Sequence, residues 1–217
     1  DAVYFALYHA VPRAREQLGH IAPTFFSDIQ KKHIRPSIAA LDFATMAFSI
    51  AAADEAIPRS SSADGWTRMI DLTVALINPE PWRSVLEPFQ KTLRFLSGDY
   101  WTIHAIEGGV EPEFRGDARD IDADCVCLLS GGTDSLIGAI DLVEQGHNPI
   151  YISRTVRGDC EAQRRFAHTL GVPENHYQWG CSIKRPRGMS EPSTRARSLV
   201  FFAFAIIAAS AFAETGA

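Results

Sequence analysis

The stretch CVCLLSGGTDS at residues 125–135 decides the fold of this chain. Its first five residues form a continuous apolar run, which is typical of a central parallel strand that is buried on both faces. Two glycines and several small polar residues follow, and apolar residues then recur at helical spacing at Leu136, Ile140 and Val143. The sequence therefore predicts a strand, a glycine-rich loop and a helix, in that order.

The loop has the composition of an anion-binding site. Gly131 and Gly132 have no side chains to keep phosphate oxygens away from the backbone N–H groups, and the helix that starts near Asp134 directs its unpaired N–H groups at the same place. Asp134 can cap this helix or hold Mg²⁺ through water. Further donors are the hydroxyl groups of Ser130, Thr133 and Ser135. Ordinary strand-to-helix turns use the same residue types, but the strand and the helix around this loop favour a phosphate site.

The loop resembles the S-G-G-x-D-S signature of the ATP-pyrophosphatase superfamily, with Thr133 in the free position. This superfamily includes GMP synthetase, argininosuccinate synthetase, asparagine synthetase and 7-cyano-7-deazaguanine synthase (QueC). The loop has no lysine and no G-K-[ST], so it differs from a Walker loop. The resemblance implies a parallel-sheet, Rossmann-like α/β domain whose loop 130–135 holds the pyrophosphate part of ATP while a substrate oxygen attacks the α-phosphate. It implies catalytic roles for Ser130, Asp134 and Ser135, and contact with Mg²⁺ for Asp134.

Two arginines precede the apolar run 199–213, in the sequence STRARS at residues 193–198. This arrangement resembles QueC, in which an arginine and a small polar residue lead into an apolar helix that starts at the nucleotide. A guanidinium there would offset the charge that builds up as pyrophosphate leaves. Positive charge at a helix N-terminus opposes the macrodipole, so we expect Arg195 and Arg197 to bind ATP and Arg197 to act in catalysis. The alternative that they only flank a helix start stays open.

A second strand is predicted over residues 150–153, after the helix that follows the loop. Ligands of open parallel sheets bind at the carboxyl ends of the strands. The end of this strand therefore supplies Ile152, Ser153 and Arg154 as candidates for the nucleotide pocket, and we expect Ser153 to bind ATP.

The chain before the loop predicts a separate unit. Helical spacing over 34–57 ends at Pro58, alternation over 66–76 indicates a strand, a helix follows Asn78-Pro79 and ends at Gly98, and 100–106 indicates another strand. We therefore expect an α+β domain over residues 1–109, a polar linker over 110–124 and the ATP-pyrophosphatase domain over 125–217. The chain starts at Asp1 rather than methionine and stops directly behind a predicted helix, so it is expected to be part of a longer polypeptide.

Stretches of the first unit resemble the N-terminal region of QueC-like proteins from bacterial antiphage operons, the QatC proteins and the QueC-like proteins of CBASS loci. The matching stretches are residues 64–72, Trp82 and residues 95–101. This resemblance implies adenylation of a carboxylate, expected to be a 7-deazaguanine acid, for transfer to an amine. It also implies a protein partner from the same operon, bound by the first unit. The alternatives are housekeeping 7-cyano-7-deazaguanine synthesis with ammonia and a non-catalytic scaffold that senses ATP.

Composition limits the other classes of function. With 46% hydrophobic residues the chain can bury a core, and a formal charge of −5 argues against a protein that coats nucleic acid. Residues 154–197 are nevertheless basic, with nine Lys and Arg against four Asp and Glu. The four cysteines do not form a dense disulfide framework, which favours the cytoplasm, and the run 199–213 is too short to span a membrane comfortably. We expect it to be a buried helix.

No zinc site is predicted. QueC has a zinc site built from four cysteines late in its chain, and no such spacing occurs in these residues. Cys125 and Cys127 are expected to be core residues of one strand, and no histidine is assigned to a metal or to acid–base chemistry.

Overall fold

The computed structural model describes residues 2–11, 18–114, 117, 122–155, 158–171 and 173–213. Its longest helix, α2 (Ile38–Ala56), confirms the helix predicted over 34–57. Ser37 caps it, with its hydroxyl accepting from the Ala40 N–H at 3.3 Å, and Pro58 follows its end. The many alanines of α2 let a second apolar helix, α6 (Arg197–Ala213), pack closely along it. A shorter helix, α1 (Phe25–Lys31), precedes this pair.

Two small sheets contain the strands of the first half of the chain. In one, β1 (Tyr4–Leu7) pairs in parallel with β2 (Leu18–Ile21). In the other, β3 (Met69–Leu76) pairs in parallel with β4 (Tyr100–Glu107) across α3 (Leu86–Ser97). Gly98 ends α3 in the left-handed conformation, at a φ of 78°, as predicted. Both pairs are parallel, which differs from the α+β organisation expected for residues 1–109.

The third sheet carries the predicted phosphate loop. Its strands β5 (Cys125–Leu128), β6 (Pro149–Arg154) and β7 (His176–Trp179) run parallel in that order. Helices α4 (Thr133–Glu144) and α5 (Cys160–Thr169) pack on one face, and α6 packs on the other. The chain is thus a mixed α/β protein with parallel sheets and helices, as predicted.

One expectation about β5 is wrong. Among the described strands β5 lies at the edge of the sheet, and β6 is the central one. Most of β5 is only half-buried, whereas five of the six residues of β6 are buried. A short apolar run indicates a strand, but it carries no information about the strand's neighbours in the sheet, on which its burial depends.

The halves of the chain on either side of the predicted linker share a core. Phe25 and Phe48 come from the first half. The ring centroid of Phe204, from the second half, lies 5.6 Å from that of Phe25 and 5.7 Å from that of Phe48. A further strand from the second half, β8 (Ile183–Lys184), pairs antiparallel with β2. Of the predicted linker 110–124, residues 115–116 and 118–121 lie outside the described residues.

Helix α6 is buried along one side and exposed along the other. Val200, Phe204 and Ile207 have no exposed surface, whereas Phe202 is half-exposed. Within the described ranges, no helix is long and apolar enough to cross a membrane.

Candidate functional site

The loop 130–135 connects the carboxyl end of β5 to the first turn of α4, as the sequence predicts. Gly131 adopts a φ of 96°, which favours glycine, and Gly132 is the N-cap residue of α4. Two hydroxyl groups close the loop on itself. The Ser130 hydroxyl donates to the Ser135 oxygen at 3.0 Å, and the Ser135 hydroxyl donates to the Gly132 carbonyl at 2.8 Å.

The outer side of this loop presents unused polar groups to solvent. Thr133 and Asp134 are exposed, and within the described part of the chain neither side chain has a hydrogen bond or an ion pair. The first N–H groups of α4 have no partner within the helix, which leaves a partial positive charge at this end. The loop therefore offers hydrogen-bond donors for an anion, and a carboxylate, Asp134, that suits a water-bound Mg²⁺ ion.

A buried glutamine that sequence reasoning missed holds the loop from below. Gln163 of α5 has no exposed surface, and its amide donates to the carbonyls of Ser130 at 3.0 Å and Arg154 at 3.1 Å. Its oxygen accepts from the Gln178 amide at 2.9 Å. Gln163 thus ties the ends of β5 and β6 together. No sequence signal points to this role, since glutamine on an amphipathic helix is normally exposed.

Ser153, predicted to bind ATP, lies beneath the loop. It is fully buried on β6, its hydroxyl donates to the Leu129 carbonyl, and it accepts from His176 Nε2 at 2.8 Å. Burial and the charge of Arg164 lower the pKa of His176 to about 4, so this imidazole is neutral at neutral pH. Because the Ser153 hydroxyl donates its proton to Leu129, the bond between Ser153 and His176 requires the ring proton to be on Nε2. Ser153 therefore supports the strand that leads into the loop, and its direct contact with ATP stays a prediction.

The predicted arginines lie at the start of α6. Asp54, the buried carboxylate near the end of α2, accepts from the backbone N–H groups of Arg195 at 2.7 Å and Ala196 at 2.8 Å. The Arg195 guanidinium is 4.8 Å from the Trp66 ring centroid, in a cation–π contact. Arg197 is exposed, and its side chain has no hydrogen bond or ion pair to another described residue. Phosphate contacts of both arginines stay predictions.

Charged residues from three segments meet at the same carboxyl edge of the third sheet. Arg154 ends β6, and the Arg185 guanidinium donates to the Glu55 carbonyl at 3.4 Å. Burial raises the pKa of Glu55, while the charges of Arg185 and Arg154 work in the opposite direction. Arg154 and Arg185 thus place two positive charges at this edge, which an anionic ligand could contact.

A buried ionic network fixes the segment before α6. Arg68 pairs with Asp54 and with Asp99, and Arg59 forms a two-pronged pair with Asp99 at 2.9 Å and 3.0 Å. Burial alone would raise the pKa of Asp99, but the bonds from Arg68 and Arg59 outweigh it and hold the pKa below its usual value. The Glu191 carboxylate accepts from the backbone N–H of Arg59 at 2.7 Å. The first half of the chain therefore positions the start of α6.

Sequence reasoning gave none of these residues a role in a network, although Arg68 and Asp99 lie in the stretches 64–72 and 95–101 that carry the family resemblance. Charged residues are usually exposed, and single-sequence patterns do not show which of them are buried and paired.

Comparison with protein-family models, with curated proteins and with solved structures gave no match to this chain. The candidate site therefore rests on residues 130–135, on their strand–loop–helix setting and on the arginines at the carboxyl edge of the sheet.

Proposed function

We propose that this protein binds MgATP at the loop 130–135 and adenylates a carboxylate, with release of pyrophosphate. The observation that carries the proposal is the loop itself. Donors and the Asp134 carboxylate stand at the start of α4 without a partner among the described residues, while Ser130, Ser135 and Gln163 hold the shape of the loop from within.

The roles of the loop residues follow from their positions. The backbone around Gly131 and Gly132, with Thr133, would receive the β- and γ-phosphates at the positive end of α4. Ser130 and Ser135 would keep the backbone in this conformation, and Asp134 would hold Mg²⁺ through water. The ion would neutralise charge on the phosphates when it is bound.

Arg195 and Arg197 would act on the leaving group. Both lie at the start of α6, whose backbone Asp54 fixes, and this helix packs against β5 and β6. A change in the side-chain torsions of Arg197 leaves its backbone in place, so the guanidinium can turn toward pyrophosphate as charge develops there.

The reaction would proceed in two steps, of which the first, adenylation, is the one that the QueC resemblance implies. A carboxylate oxygen attacks the α-phosphorus, the bond from that phosphorus to the bridging oxygen breaks, and pyrophosphate leaves. An amine nitrogen then attacks the acyl carbon, loses a proton, and AMP leaves. The substrate proposed from the QueC resemblance is a 7-deazaguanine acid. The amine would belong to a partner protein from the same antiphage operon, and the reaction would take place in the cytoplasm.

Exchange of labelled pyrophosphate into ATP tests the first step. We expect the full-length protein with Mg²⁺ to catalyse this exchange only when 7-carboxy-7-deazaguanine is present. Nitrile formation from ammonia without any partner would favour housekeeping synthesis. ATP binding without exchange, with any deazaguanine acid and with the operon partners present, would refute adenylation and favour the scaffold.

A further inference from the structure

Three side chains of different chemistry converge at the amino end of the third sheet, away from the phosphate loop. They are Asp124, Cys125 and His147, and their potential ligand atoms all lie within 4.8 Å of one another. Asp124 Oδ2 lies 3.0 Å from His147 Nδ1, and the Cys125 thiol is hydrogen-bonded to the Asp124 carboxylate. Asp124 directly precedes β5, Cys125 is the first residue of β5, and His147 lies in the turn before β6.

The backbone around this cluster is fixed by several hydrogen bonds. The Asp124 N–H donates to the Asn148 carbonyl at 3.1 Å, and the Asn148 N–H returns a bond to Asp124 Oδ1 at 3.0 Å. The Asn148 amide also donates to the Asp122 carbonyl at 2.7 Å. Cys125 and Pro149 are register partners in the parallel pair of β5 and β6. The side chains therefore come from a rigid pair of neighbouring strand ends.

The donor set matches the preferences of zinc. A thiolate sulfur, an imidazole nitrogen and a carboxylate oxygen are the ligands that Zn²⁺ takes, at roughly 2.0–2.3 Å, with ligand atoms roughly 3.2–3.8 Å apart in a tetrahedron. The Asp124 and His147 atoms lie 3.0 Å apart and all pairs lie within 4.8 Å, so rotation of side chains can bring the set to that spacing. Magnesium and calcium are poor candidates because they take oxygen ligands.

We propose that Asp124, Cys125 and His147 form a three-ligand Zn²⁺ site. The side chains of Asp124 and His147 are 49% and 45% exposed, which leaves a path for the ion and room for water as a fourth ligand. The ion clamps the amino ends of β5 and β6 together. Cys127, the other cysteine of this strand, is buried and points into the core with Leu129 and Tyr151, so it takes no part.

This site is independent of the proposed ATP chemistry. Ser130, the first residue of the loop, follows Cys125 by five residues of extended chain, which is about 16 Å at about 3.3 Å per residue. Loss of the ion would therefore leave the residues of the loop in place. The proposed Zn²⁺ site and the proposed ATP chemistry can thus be tested independently of each other.

Titration of the full chain with Co²⁺ tests the site, because a cobalt–thiolate bond gives a near-ultraviolet charge-transfer band. We expect one equivalent of Co²⁺ to produce the band and Zn²⁺ to abolish it. Cys125→Ser should remove the band, and His147→Asn should weaken binding at least about tenfold. Cys160→Ser, which changes a half-buried cysteine outside the cluster, should leave binding unchanged.

Folding is checked by circular dichroism of each variant. His147 is exposed, so His147→Asn keeps the proposal testable even if Cys125→Ser unfolds. Absence of the band in the native protein would overturn the site. A band that survives Cys125→Ser would also overturn it, as would Co²⁺ affinity unchanged by His147→Asn, which would indicate binding to a thiol alone.

Discussion

At the level of single residues, Gly131 and Gly138 differ in whether the structure requires glycine. Gly131 has a φ of 96°, and a Cβ there would lie 3.3 Å from Gln163 Cγ, in the contact that holds the loop. Gly138, in the interior of α4, has open space around it and no positive φ. The same substitution should therefore have opposite effects at the two positions.

We expect Gly131→Ala to lose stability, by about 1–2 kcal/mol, because a non-glycine residue is strained in this conformation. It should also weaken ATP binding, since the loop backbone must shift. Gly138→Ala should gain about 0.5–1 kcal/mol from helix propensity and keep ATP binding. Urea unfolding and ATP titration of both variants measure these effects. Equal ATP affinity in the two variants would contradict the role assigned to the loop backbone.

His176 gives the protein a specific dependence on pH. Burial and Arg164 lower its pKa to about 4, whereas an unfolded histidine has a pKa near 6.5. Between these values the unfolded chain binds the proton and the folded chain does not, so stability falls as the pH falls from about 6.5 to about 4.

His176→Gln should remove this part of the pH dependence while keeping a donor for Ser153. The loss of unfolding free energy between pH 7 and pH 5 should be about 1–2 kcal/mol smaller in the variant than in the native protein. His168→Gln, at the exposed end of α5, is the matched control and should retain the native profile. Denaturant unfolding at pH 7 and pH 5 measures the free energy of unfolding of each protein. Parallel profiles for the native protein and His176→Gln would exclude a half-buried His176 that is neutral in the folded state.

Part of this residue-scale picture is predictable from the sequence. Gly131 and Asp134 can be identified because two glycines and an aspartate between an apolar strand and a helix are typical of an anion-binding loop. Gln163 and the Ser153–His176 pair cannot, because their roles depend on burial by segments distant in sequence.

At the level of elements, the start of α6 depends on a charge network supplied by the first half of the chain. Arg68 is completely buried and pairs with Asp54, which in turn holds the backbone of Arg195 and Ala196. Removal of one partner from such a network leaves an uncompensated buried charge.

Arg68→Met should therefore cost about 3–5 kcal/mol of unfolding free energy. Lys91→Met removes an exposed i,i+4 pair with Glu87 on α3 and should cost less than about 0.5 kcal/mol. Chemical denaturation of the two variants gives the comparison. A cost for Arg68→Met as small as that for Lys91→Met would contradict the network.

The sequence predicted α2, α4 and the end of α3 well, because proline or glycine follows the end of each of these helices. It placed the start of α3 too early, since a short 3-10 helix over Glu80–Ser84 follows Asn78-Pro79 and α3 begins only at Leu86. It could not place β5 at the sheet edge, and it could not show that strands β3 and β4 run parallel. Both properties are set by strand neighbours rather than by the strand itself.

At the level of the whole molecule, the first 109 residues and the region that carries the phosphate loop pack against each other around one hydrophobic core. Helix α2 packs along α6, β8 joins β2, and Phe25, Phe48, Trp179 and Phe204 form one aromatic core. A polar stretch with glycines suggests a boundary in the sequence, but contacts between distant helices leave no local pattern there. The first half therefore has a structural role in fixing the start of α6, in addition to the partner binding proposed for it.

The measurement to make first is the identity of the products formed from MgATP by the full-length protein with 7-carboxy-7-deazaguanine, beside Asp134→Ala and Asp141→Ala. Asp141 is exposed on the same helix, outside the loop, and serves as the matched control. We predict substrate-dependent formation of pyrophosphate that falls at least about a hundredfold in Asp134→Ala and persists in Asp141→Ala. Formation of ADP and phosphate instead, or equal pyrophosphate release by Asp134→Ala, would contradict adenylation at this loop.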